Sequence, residues 1–110
     1  VIRMYDNLVT ALKASGIPFA EYAWDIRPKV NYGVVAIDGA GRHAAADNHV
    51  EHQAVEGTVD LFTYTNDRQD VDTIQQVLND FDGLTWYLES VQYESDPRLI
   101  HWEWVFQVEG

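Results

Sequence analysis

Apolar residues recur along this chain with two different periods. In residues 3–15, Tyr5, Leu8, Val9 and Leu12 fall on one stripe at helical spacing, Gly16 stands where a helix cap is expected, and Pro18 follows. Residues 19–24 read as a first strand and residues 25–31, holding Pro28, as a loop. Residues 32–38 read as a second strand, apolar enough to be covered on both faces for part of its length. Residues 39–48 break the pattern, being small and weakly hydrophobic, and predict an exposed, flexible excursion. Residues 49–55 resume a strand and residues 57–65 form a strong one, the two being continuous if Gly57 makes a bulge.

The helical period returns after Asn66. Asp67 is placed to cap free N–H groups with Asp70 three residues on; Val71, Ile74, Val77, Leu78 and Phe81 form the stripe, and Gly83 ends it. Residues 84–93 are rich in strand formers, and residues 94–98 supply turn chemistry. Finally Ile100, Trp102, Trp104, Phe106 and Val108 alternate with His101, Glu103, Val105, Gln107 and Glu109, a period of two that requires a strand with one apolar face. The order is α-β-β-β-(β)-α-β-β. It predicts an α+β fold, a mainly antiparallel sheet of four to five strands with both one-sided helices packed on one face.

A chain of 110 residues supports one core, so residues 1–110 are read as a single domain. With no cysteine there is no disulfide, thiolate nucleophile or zinc–sulfur site. No apolar run is long enough to span a bilayer, and residues 1–6 lack a signal-peptide pattern, so cytoplasmic synthesis is expected. Eighteen acidic residues against seven basic ones give a net charge of −11, which argues against stable nucleic-acid binding. The charge fits solubility by self-repulsion, a surface that faces DNA without holding it, or a basic partner.

Candidate chemistry is sparse. His49 and His52, three apart with His43 upstream, would share a face only on a helix, and their segment reads as strand or loop. Gly39-Ala40-Gly41 follows a strand but lacks the third glycine and the Lys-Ser/Thr pair of a phosphate loop. Glu89 and Glu103 fall on adjacent strands as solvent-facing carboxylates that keep a sheet surface hydrated. No nucleophile–base–orienter set is present, so no catalytic residue, cofactor or metal ligand is assigned. Tyr22, Trp24, Trp86, Trp102 and Trp104 are read chiefly as core, with an oligomer interface as the other use of such residues.

Three stretches, taken in order, resemble the tail-completion and tail-terminator proteins of long-tailed bacteriophages. Tyr5-Asp6-Asn7-Leu8 leads through the helix to Ser15-Gly16-Ile17-Pro18-Phe19-Ala20-Glu21-Tyr22, similar to that family's "GIP" step into its first strand. Residues 53–67, ending Val59-Asp60-Leu61-Phe62-Thr63-Tyr64-Thr65-Asn66-Asp67, resemble its strand ending in "LYT-D" before a second helix. Residues 88–96, leading into 99–108, resemble its closing hairpin. The resemblance implies a non-enzymatic structural protein of the virion tail, present in the host cytoplasm during assembly. It would form a ring, usually of six subunits, at the head-proximal end of the tail tube. There it would meet the tail tube protein and the head connector or head-completion protein. Under that reading Gly39, Gly41, Arg42, His43, Asp47 and Asn48 form a loop that orders on a neighbouring subunit, and Glu89, Glu94 and Glu103 approach the DNA channel.

Two other readings stand beside it. An acidic inhibitor, immunity protein or DNA mimic would bind a basic partner one-to-one. A small-ligand- or metal-binding α+β domain would use His49, His52 and His101.

Overall fold

A computed structural model of the protein describes residues 2–40, 54–95 and 98–109. Its elements are α1 (Arg3–Lys13), β1 (Phe19–Glu21), β2 (Tyr32–Ala40), β3 (Ala54–Thr63), α2 (Gln69–Asp80), β4 (Leu84–Ser95) and β5 (Arg98–Glu109). The strands form one sheet in the order β1-β2-β3-β5-β4. The β1–β2 pair is parallel and the other three pairs are antiparallel. This is the α+β arrangement the hydrophobic pattern predicts.

Both helices lie on one face. The stripes predicted for them supply the buried side chains: Tyr5, Leu8, Val9 and Leu12 from α1, and Val71, Ile74 and Leu78 from α2. They meet the sheet side chains Val35, Val59, Leu61, Trp102, Trp104 and Phe106 in a single core. The Tyr5 ring stacks on Phe106 with centroids 6.3 Å apart, and the Trp104 indole N–H donates to Gln75 Oε1 on α2 at 3.2 Å. Trp104, fully buried, is the largest side chain with no exposure. Gly16 and Gly83 each take a positive φ at a helix-to-strand exit, 93° and 80°, a backbone region that costs a side chain free energy.

Several boundaries differ from those expected. The expected strand at 19–24 stops at Glu21, because Tyr22 turns the chain with φ of 70° and the Trp24 indole folds back to donate to the Gly33 carbonyl. β2 runs on through Gly39 and Ala40, the start of the expected loop, since both still pair with β3. The expected bulge at Gly57 lies on the opposing strand: Ile37 pairs with Gly57 and Gly39 with Glu56, leaving Asp38 as the extra residue. Ala54 and Val55 continue directly into the 57–63 segment as one strand, β3. Glu94, Ser95 and Arg98, expected in a turn, extend the ladder of β4 with β5. Asp67 Oδ1 does accept the Gln69 N–H, at 3.0 Å, so the expected acid supports the opening of α2.

Candidate functional site

Among the described residues, two surfaces of the sheet are candidate sites, one on the face away from the helices and one at its outer edge. The first follows from register. Trp102 and Trp104 point to the helices, so His101 and Glu103 point the other way. Tyr32, Phe62, His101 and Gln92 stand in one cross-strand row, and Val34, Asp60, Glu103 and Ser90 in the next. The first row is a stack of rings. Trp24 meets Tyr32 edge-on at 6.2 Å, Tyr32 and Phe62 lie 4.8 Å apart, and Phe62 and His101 lie 4.3 Å apart.

Carboxylates surround the end of that stack. His101 Nε2 lies 2.7 Å from Asp60 Oδ1, and Nδ1 lies 3.8 Å from Glu94 Oε2. The hydrogen bond to Asp60 pushes the His101 pKa up, partial burial opposes it, and the charges of Asp60, Glu94 and Glu103 add to the rise. Ser90 Oγ donates to Glu103 Oε1 at 3.3 Å. The pKa of Asp38, displaced by the bulge, is raised from its ordinary value by partial burial and by the nearby charges of Glu56 and Asp60. Five acids and one histidine therefore share an electrostatic neighbourhood on this face.

The second surface is β4. It pairs with β5 on one side and is the outer strand of the sheet. Leu88 pairs with Trp104 and Ser90 with Glu103, so Glu89 is an extra residue in the ladder. That bulge resets the alternation. Trp86 and Leu88 before it, and Val91 and Tyr93 after it, all oppose helix-facing residues of β5. The Trp86 indole is tied to Asn79 of α2 at 3.1 Å, but Leu88, Val91 and Tyr93 stay 42%, 48% and 63% exposed.

The structure brings Glu94 and Glu103 together around His101 and sends Glu89 to the outer edge instead. Of the predicted loop residues only Gly39 is described, and it lies in β2; Gly41, Arg42, His43, Asp47 and Asn48 fall outside the described residues, as do His49 and His52. Among the described residues no group of three or more acidic or histidine side chains is arranged to hold a metal ion. A depression of about 190 Å³ lies among Trp24, Arg27, Tyr32, Val34 and Phe62, below the roughly 300–1,000 Å³ usual for small-molecule sites.

The aromatic residues divide as follows. Trp102 and Trp104 are buried in the core, Trp24 and Trp86 are half-buried, and Tyr22 is exposed. Sequence reasoning missed the Asp60–His101 pair, which joins residues on different strands. The signal available was the polar alternation of Glu56, Thr58 and Asp60, in phase with the polar face of β5.

No protein-family model matches this chain, and comparison with curated proteins gives no match.

Proposed function

We propose that the protein is a non-enzymatic structural subunit that closes into a ring, most simply of six copies, at the head-proximal end of a phage tail tube. There it ends tube growth and presents a docking surface to the head connector. The sequence stretches that resemble tail-terminator proteins support this reading, as does the α+β element order. The observation that carries it is the acidic sheet face, where Asp38, Glu56, Asp60, Glu94 and Glu103 are gathered opposite the helices. A lumen that passes DNA must not hold phosphates, and a wall of carboxylates repels them.

The test is light scattering coupled to size exclusion over a range of concentration and salt, followed by addition to polymerising tail tubes. Screening weakens repulsion between subunits of charge −11, so a closed oligomer is expected to grow in as salt rises. Tubes that elongate normally in its presence would overturn the proposal. The same acidic face also fits an inhibitor of a cationic protein. A salt-sensitive one-to-one complex formed by a strictly monomeric chain would favour that reading.

A further inference from the structure

The exposed apolar residues are concentrated at opposite ends of the sheet. One group is the stripe Leu88, Val91 and Tyr93 on the outer strand β4. The other follows the opposite edge strand, β1: Tyr22, Ile26 and Val30 are 61%, 85% and 58% exposed. This second segment is held in place although it has no regular structure. The Tyr22 N–H donates to the Val35 carbonyl at 3.0 Å, the Trp24 indole to the Gly33 carbonyl at 3.0 Å, and the Tyr64 hydroxyl to the Pro28 carbonyl at 2.8 Å. It is thus ordered before any partner arrives, which lowers the entropy cost of docking.

Charge distinguishes the two ends. In a chain with seven basic residues, Arg27 and Lys29 both stand exposed beside Ile26 and Val30, and together they outweigh Asp25, the one exposed acid of residues 22–30. Glu89 stands exposed beside Leu88 on β4. The two patches are therefore complementary to each other, apolar to apolar and basic to acidic. Patches at opposite ends of one sheet produce head-to-tail association, the type of contact that closes into rings.

Resting on the ring reading above, we infer that the 22–30 segment of one copy docks on the β4 edge of the next, Ile26 and Val30 against Leu88, Val91 and Tyr93, with Arg27 beside Glu89. Five strands at about 4.8 Å make each sheet about 24 Å wide, so six give a perimeter of roughly 140 Å. A perimeter of that size encloses a passage wider than a DNA duplex.

The test uses two full-length variants, Ile26→Asp and Val91→Asp, each at an exposed position and each checked for wild-type urea unfolding. Alone, each is expected to raise the concentration for half-assembly by about tenfold or more. Mixed, they retain one intact pair of surfaces, and light scattering should find a one-to-one heterodimer that grows no further. Arg27→Glu and Glu89→Arg should each weaken assembly and the double variant should recover it. Wild-type rings that persist in both aspartate variants would overturn the docking surface while leaving the ring reading intact. Homodimers of Ile26→Asp would overturn it in favour of β4 pairing with itself, and a wild-type chain monomeric under all conditions would overturn it outright. If the mixing rule holds but wild-type chains form open filaments, the docking surface stands and the ring reading fails.

Discussion

Neutralising His101 by raising the pH should destabilise the fold, and the geometry sets both the sign and the size. The Asp60 contact is 2.7 Å long, and the two side chains are only 21% and 19% exposed. A hydrogen bond to a charged group contributes about 1.5–3 kcal/mol. Neutral imidazole still has one N–H for Asp60, so only the charge-assisted part is lost, and partial burial of the cation opposes even that. Glu94, 42% exposed at 3.8 Å, adds well under about 1 kcal/mol after solvent screening. The net expectation is about 1–2 kcal/mol. The folded pKa is raised above the ordinary 6.5, so this stability is fully present below that value and lost as pH climbs through the folded value. With a urea slope of about 1–3 kcal/mol/M, the midpoint should fall by roughly 0.3–2 M between about pH 6 and pH 9. Tryptophan fluorescence reads the transition in the wild type and in His101→Gln. General charge repulsion changes with pH in both proteins, as do the other three histidines, so the difference between the two slopes isolates His101. Parallel slopes would refute the reasoning.

Gly57→Ala should cost about 1–3 kcal/mol in urea unfolding, because a Cβ there overlaps the Ala36 carbonyl oxygen and comes within 2.7 Å of the Phe106 ring. Gly39→Ala, with nothing within 4 Å, should stay within about 0.5 kcal/mol of wild type, and equal effects would discredit the packing described around the β2 bulge. Trp104→Ala empties a fully buried site and should remove about 3–5 kcal/mol, lowering Tm by more than about 10 °C in calorimetry. If the proposed ring forms, replacing Glu94 and Glu103 together by Lys reverses charge on the acidic face and should slow DNA ejection from particles that carry it; normal ejection kinetics would refute the proposal that this face lines a channel.

Elements with strict periodicity were legible from the sequence. The stripe of α1 and the alternation of β5 name side chains that are buried, since one amphipathic face leaves a single choice of what to cover. β4 was legible as a strand but not as a surface. Leu84, Trp86, Leu88, Val91 and Tyr93 change phase at Glu89, and a phase change becomes a bulge only once the partner register is known. The Gly57 signal was real but fell on the wrong strand: the glycine makes room for Ala36, and the extra residue is Asp38 across from it. The parallel β1–β2 pair escaped notice because only three residues carry it. His101 was visible as a histidine but not as the centre of a cluster, since its carboxylates come from β3 and β4 as well as its own strand.

The place of β5 in the sheet bears on how the protein is made. It is the last described strand in chain order, yet it lies between β3 and β4. On the ribosome, then, the earlier strands emerge without the one that joins them, and β3 offers an open edge until residues through Glu109 are free. That interval, rather than the finished fold, is when off-pathway pairing between nascent chains is most favoured. Translation stopped before Arg98 therefore leaves β1–β3 and β4 without the strand that joins them in the finished sheet.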